Sequence, residues 1–237
     1  MKIFAIADTH LSFSPKVDKP MSIFGDGWEN YESRLEEAWR ERIGQDDVVI
    51  IPGDISWGLK FDEAVPDLEW IHQLPGRKVL LKGNHDLWWS KIGMLNTLYD
   101  DMFFLQNHCY PVEGTDIAIC GTRGWKLPWN EDFGEHDEKI FRRELIRLEA
   151  SLKEGSQQAG QLIAAMHYPP AEENNRHSQF TELLEKYGVK TCVYGHLHGA
   201  AAFGKGIKGR ENGITYNLIS LDYLGGIPKL IMEVDEQ

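Results

Sequence analysis

The stretch Lys78-Val79-Leu80-Leu81-Lys82-Gly83-Asn84-His85-Asp86 sets the fold and the chemistry together. A short aliphatic run, too brief for a helix, breaks off at a glycine followed by three side chains able to bind or shuttle protons and metals. Runs of this kind suit strands buried on at least one face. The same composition recurs at 2–7, 48–51, 117–120, 162–166, 191–194, 214–219 and 229–234. Between the runs lie segments of helical period. Tyr31, Leu35, Trp39 and Ile43 form one stripe within 30–43, and Phe61, Val65, Leu68 and Ile71 another within 61–73, where Pro66 is tolerable near the first turn. Phe141, Leu145, Leu148 and Leu152 line one side of 135–154, and 180–187 completes the set. Early strand–helix alternation implies parallel βαβ units, and the strand-rich tail after Thr191 implies hairpins, so the class is α/β with mixed sheets. Residues 11–28, with Pro15, Pro20, Gly25 and Gly27, read as a long loop.

No repeat, low-complexity tract or linker divides the 237 residues, so a single domain spanning 1–237 is expected. With 25 Lys+Arg against 37 Asp+Glu, the formal net charge is −12. That excess of acid argues against non-specific nucleic-acid binding, which needs a basic stripe. No apolar run is long enough to span a bilayer, so neither a membrane span nor a signal peptide is expected. Cys109, Cys120 and Cys192 are widely spaced and read as buried thiols of a cytoplasmic protein.

Metal-type side chains stand just past the ends of five expected strands: Asp8 with His10, Asp54 after Gly53, the Gly83–Asp86 segment, His167, and His196 with His198 after Gly195. Ligands bind at the carboxyl ends of strands in open α/β sheets, where loops converge. Residues two apart in an extended strand share a face, so Asp8 with His10, and His196 with His198, could each bite one centre. Asp8, His10, Asp54, Asn84, His167, His196 and His198 are more ligands than one six-coordinate ion accepts while leaving room for substrate. Two ions sharing a carboxylate fit better. Oxygen and nitrogen donors without thiolate favour Mn²⁺ first, with Fe, Zn²⁺ or Ni²⁺ as alternatives. Such a pair, about 3.5–4 Å apart, can deprotonate a bridging water and clamp an in-line displacement at phosphorus. Phosphoester hydrolysis is the expected reaction.

The order Asp-Xaa-His, Gly-Asp, Gly-Asn-His-Asp, His, Gly-His-Xaa-His resembles the calcineurin-like metallophosphoesterase superfamily from Asp8 to His198. The resemblance implies a four-layer α/β/β/α sandwich of two mixed sheets. It implies Asp8, His10 and His198 on one metal, Asn84, His167 and His196 on the other, and Asp54 as bridge. It also implies that a metal-bridged hydroxide attacks phosphorus, with His85 assisting the leaving oxygen and Asp86 orienting its imidazole. Protein Ser/Thr phosphatases of the superfamily carry Asp-Arg-Gly after the bridging Asp and tend to have Glu after Asn-His. Here Asp54 precedes Ile55-Ser56-Trp57-Gly58, and Asp86 follows His85. Both departures lean towards the bacterial-type phosphodiesterase and small-phosphatase branch, with a small phosphoester as substrate, a nucleotide among the options, and diesters favoured over monoesters. The competing expectations are a catalytically silent binding or scaffold protein on the same fold, and a single-metal enzyme.

Around the site, Trp57 and Trp88 are expected to stack on a base or cover an apolar leaving group, the alternative being loop packing. Arg123 reads either as a phosphate fork or as a surface residue, and Tyr168 is placed within reach of substrate. The oligomeric state is left open.

Overall fold

The computed structural model describes residues 1–234. Five strands, β1 (Lys2–Ala5), β2 (Val48–Pro52), β3 (Arg77–Leu81), β4 (Met102–Phe104) and β11 (Lys229–Glu233), form one sheet in the order β11-β1-β2-β3-β4. Six others, β5 (Cys109–Val112), β6 (Ile117–Thr122), β7 (Gln161–Met166), β8 (Thr191–Tyr194), β9 (Gly209–Glu211) and β10 (Ile214–Leu218), form a second in the order β5-β6-β7-β8-β10-β9. Strands β1-β2-β3-β4 of one sheet and β6-β7-β8-β10 of the other run parallel, while β11, β5 and β9 join antiparallel at the edges. The helices are α1 (Tyr31–Arg42), α2 (Phe61–His72), the one-turn α3 (Ile92–Leu95), α4 (Glu135–Gln158), α5 (Gln179–Lys186) and the one-turn α6 (Ala200–Phe203).

Alternation along the strands dictates four layers. In the first sheet Phe4, Val49, Ile51 and Leu80 face Leu35, Trp39, Leu68 and Ile71 of α1 and α2. Their neighbours Ile3, Ala5, Val48, Ile50, Val79 and Leu81 point the other way, against Ile117, Ile119, Ile163, Ala165 and Val193 of the second sheet. The far face of that sheet, with Ala118, Cys120, Leu162, Ala164 and Cys192, packs on Phe141, Leu148, Leu152, Phe180 and Leu184 of α4 and α5. Every interior strand is thus apolar on both faces, which is why each reads as a continuous apolar run. This is the expected α/β/β/α sandwich.

The expected strands lie within about two residues of the observed ones, and α4 runs one turn beyond its expected end. Segment 11–28 is not featureless. It contains two 3-10 turns, Met21–Phe24 and Asp26–Trp28, and it buries Leu11, Met21 and Trp28 against the helices of the first sheet. Pro111 is accommodated because β5 is an edge strand, where a missing N–H costs no ladder bond. The three cysteines are free and buried on the helix side of the second sheet. Burial pushes the Cys109 and Cys120 thiols up to about 11 and about 12, so both are inert. Among the described residues no helix is long and apolar enough to cross a membrane.

Candidate metal centre

The carboxyl ends of β1, β2 and β3 in one sheet, and of β7 and β8 in the other, open onto the same end of the sandwich. The loops that leave them are stitched together by backbone bonds, Asp8 N–H to Gly53 C=O at 3.0 Å, His10 N–H to Asp54 C=O at 2.9 Å and Gly195 N–H to His167 C=O at 3.1 Å. All seven candidate ligands therefore meet at one place.

They sort into two groups. Asp8, His10 and His198 converge in one, and Asp54, His167 and His196 in the other, each with its ligand atoms within 4.8 Å of one another. In the first, His10 Nε2 and His198 Nε2 face each other at 3.3 Å. In the second, His167 Nε2 lies 3.3 Å from His196 Nδ1 and 2.8 Å from Asn84 Oδ1. Asp54 Oδ2 stands between the groups, 3.4 Å from His167 Nε2 and 3.8 Å from His10 Nε2. His196 and His198 thus serve different groups, not one centre as strand alternation alone suggests. Asp8 and His10 do share a group, but not through an extended pleat. Both adopt left-handed backbones, with φ of 61° and 44°.

Hydrogen bonds at the outer nitrogens set the tautomers of two of the rings. His167 Nδ1 donates to Pro52 C=O at 3.1 Å, and His198 Nδ1 to Asp222 Oδ1 at 3.1 Å, which leaves both Nε2 lone pairs pointing inward. Asp222 escaped the sequence reading. It also accepts from Gly199 N–H at 2.9 Å, and its only signal is that it too follows a strand run. His10 Nδ1 is buried without a partner, so no hydrogen bond fixes that ring's tautomer, and in each group two ring nitrogens 3.3 Å apart stand at the spacing of two ligands on one cation. The donor set, imidazole, carboxylate and amide oxygen, suits two hard or borderline ions.

The electrostatics agree. Burial pushes Asp8 up to about 6, partly offset by His198 and His167. Burial acts upward on Asp54 as well, but His167 and His10 outweigh it and hold that carboxyl well below its usual range. Burial alone would lower His167, yet Asp54 and Asp8 raise it to about 9, so the carboxylates draw positive charge to Nε2, as a proton or as a metal ion in its place. His10 and His196, mainly through burial, fall to about 3 and remain neutral ligand-type imidazoles.

His85 is beside the centre, with its backbone N–H on Asp54 Oδ1 at 2.7 Å and its ring 4.6 Å from that of Trp57. Trp57 in turn stacks on His10, centroids 4.6 Å apart. Both rings, with Met21, Phe24, Trp28 and His198, line a cavity of about 280 Å³. Asp86 departs from expectation. Its buried carboxylate accepts from the backbone of Gly83 (2.7 Å), Ile55 (2.8 Å) and Ser56 (3.2 Å) and from the Trp88 indole (3.0 Å), so it clamps the two metal-binding loops instead of meeting the His85 ring. Trp88 is correspondingly buried in the core of the first sheet and offers no face to substrate. Tyr168 lies against His196, ring centroids 4.0 Å apart, and is itself almost wholly buried. Arg123 sits over the Trp125 ring at 4.4 Å and lines a separate cavity. In a third acidic group, His72, Asp100 and Asp101, the buried Lys78 ammonium and the His72 ring both pair with Asp101.

The calcineurin-like phosphoesterase pattern matches residues 1–200. The chain belongs to this family. The family is one of phosphoesterases that generally bind two divalent ions. Among curated proteins, the gene 66 proteins of Mycobacterium phages L5 and D29 are each 44% identical to it, over 61 and 57 residues. Those segments span 26% and 24% of this chain and 29% and 28% of the phage proteins. Among solved structures, phosphopantetheinyl hydrolase from Mycobacterium tuberculosis matches with TM-score 0.60 at 13% identity, covering 100% of this chain and 97% of that one. A protein of unknown function from Aquifex aeolicus matches with TM-score 0.53 at 16% identity, covering 97% and 95%. These likenesses bear on the fold.

Proposed function

We propose that the chain hydrolyses small phosphoesters, diesters in preference to monoesters, at a centre in which Asp8, His10 and His198 hold one ion, Asn84, His167 and His196 the other, and Asp54 both. The observation that carries this reading is the pair of inward-facing imidazole contacts at 3.3 Å, one in each group, with Asp54 between them. Ions held there would supply Lewis-acid charge for phosphoryl oxygens and acidify water, and the hard oxygen and nitrogen donors favour Mn²⁺.

The remaining work falls to protein groups. His85, exposed at the edge of the centre and with a pKa lowered mainly by desolvation, is the residue placed to pass a proton to the leaving oxygen. Trp57 keeps the His85 and His10 rings in place from one side. Asp86 acts as a positioning residue, tying the Gly83 loop to the Ile55 loop. The diester preference follows from the cavity beside His85. Met21, Phe24, Trp28 and Trp57 make its wall apolar, which suits the second ester substituent of a diester and has no counterpart in a monoester.

The test follows hydrolysis of bis(p-nitrophenyl) phosphate and p-nitrophenyl phosphate after chelation and after restoring Mn²⁺. Activity should vanish with chelator, return with Mn²⁺ and favour the diester, and His85→Ala should lower kcat by about 10²–10⁴. Turnover indifferent to chelation, or undiminished in His85→Ala, overturns the proposal.

A further inference from the structure

The molecule has a second polar cavity, of about 310 Å³, that contains none of the candidate metal ligands. It lies at the same end of the sandwich, beside the metal centre. Lys82 enters from the end of β3, next to β2 with its Asp54, and Thr122 and Arg123 from the end of β6, next to β7 with its His167. Arg143 and Arg147 reach in from α4.

At its floor is Glu144, 1% exposed, with three guanidinium groups around one carboxylate. Thr122 Oγ1 donates to Oε2 at 2.6 Å, while Arg147 (2.9 Å) and Arg143 (3.3 Å) donate to Oε1, and Arg123 stands off at 3.9 Å. Both carboxylate oxygens are therefore engaged, and most of the guanidinium N–H donors are left over. Arg123 Nε is buried without any hydrogen-bond partner, an expensive state for a charged donor. Lys82 makes no ion pair among the described residues. Four cations against one anion make a local charge of +3 in a chain whose net charge is −12. The surplus of donors and of positive charge suits a further anion, and planar, multidentate guanidinium groups match tetrahedral oxyanions.

We propose that this cavity binds a phosphate-class oxyanion, either a second phosphate carried by the substrate or a free phosphate compound. The first source rests on the proposed function; the binding itself does not. Arg123 couples the cavity to the centre through its backbone, since its C=O accepts the N–H groups of His167 (3.1 Å) and Tyr168 (2.9 Å).

The experiment titrates methylenediphosphonate, a non-hydrolysable diphosphate, into the full chain by calorimetry. Four proteins are compared: wild type, Asp54→Asn, which disables the shared ligand of the metal centre, Arg143→Gln/Arg147→Gln and Lys82→Met. Binding should persist in Asp54→Asn and weaken by about tenfold or more in the other two. Lys82→Met unmasks no buried carboxylate, so it remains decisive if the double variant folds poorly. Affinity unchanged in Lys82→Met, or abolished in Asp54→Asn alone, overturns the proposal, whatever the enzyme's turnover. The sources separate by kinetics. If the anion belongs to substrate, Lys82→Met raises KM for a p-nitrophenyl nucleotide ester bearing a second phosphate relative to KM for bis(p-nitrophenyl) phosphate. If it is free, that ratio stays fixed while diphosphonate binding is lost. Either result supports the site.

Discussion

Gly83→Ala is the smallest change that should dismantle the metal centre. A Cβ on Gly83 would stand 2.1 Å from Asp54 Oδ1, 2.2 Å from Asp54 N and 2.8 Å from Asp54 Cγ. The closest of these falls about 1.3 Å short of ordinary contact at 3.4 Å. Neither side has room to yield. Asp54 is held through Oδ1 by His85 N–H at 2.7 Å, and Gly83 N–H is bonded to Asp86 Oδ2 at 2.7 Å. Gly53 closes the remaining direction, because its own Cα faces Gly83 so tightly that a Cβ there would meet Gly83 Cα at 2.6 Å. Overpacking of this kind costs about 1–3 kcal/mol. At about 2–4 °C per kcal/mol for a chain of this size, the melting temperature should fall by roughly 2–12 °C. Displacing Asp54 removes the group placed between both ligand sets, so Mn²⁺ affinity should drop by about tenfold to a hundredfold or more. Thermal melts and Mn²⁺ titration calorimetry measure both. Gly93→Ala, where an added Cβ meets nothing within 4 Å, is the control and should leave both unchanged. A Gly83→Ala protein with wild-type melting and wild-type Mn²⁺ affinity would refute the close-packed geometry on which the site depends.

Asp222→Asn keeps the shape but loses the charge that orients His198 Nδ1–H, and Mn²⁺ affinity should fall about tenfold to a hundredfold; an unchanged titration would remove Asp222 from the site. Asp67, which accepts from Phe13 N–H and Ser56 Oγ–H, has its carboxyl pushed up to about 6 from 3.8, mainly by burial. Raised above its unfolded value, it contributes stability below about pH 4 that is lost as pH rises through about 6, on the order of 3 kcal/mol. Urea unfolding between pH 4 and 7 should therefore show a smaller decline in Asp67→Asn than in wild type, and parallel curves would contradict the assignment.

The sandwich was legible because both faces of its interior strands are covered, so β1, β2, β3, β6, β7 and β8 announce themselves as apolar runs. What escaped lies at the margins. The edge strands β4 and β9 have three residues each, and β5 carries Pro111, so none shows a period long enough to detect. The ligand set was legible for a related reason: each member follows a visible strand. Asp222 follows one too, but a lone carboxylate without a neighbouring histidine or glycine gives no pattern to read. The directions of Trp88 and Asp86 are not legible because sequence adjacency to His85 says nothing of direction. Their side chains turn inward, the indole onto the carboxylate, and the pair anchors the loop from beneath.

Backbone conformation carries the final step, and no sequence pattern exposes it. Seven non-glycine residues among those described have positive φ: Asp8, His10, Asn30, Asp54, Asn107, His196 and Asn212. The three asparagines occupy turns or a helix start, where that side chain tolerates the left-handed region. The other four are all candidate metal ligands. Left-handed backbone costs roughly 1–3 kcal/mol per residue and persists only where its surroundings over-determine it. Here the determinants are visible: Asp8 and His10 are pinned by bonds to Gly53 and Asp54, and His196 by its N–H on both carboxylate oxygens of Asp8 at 2.9 and 3.1 Å. Three apolar cores, between and outside the two sheets, supply the rigidity that holds four strained residues against relaxation. Strain concentrated on the ligands, and on no other aspartate or histidine described, is what a preorganised two-ion centre requires and what a merely well-packed strand end has no reason to maintain.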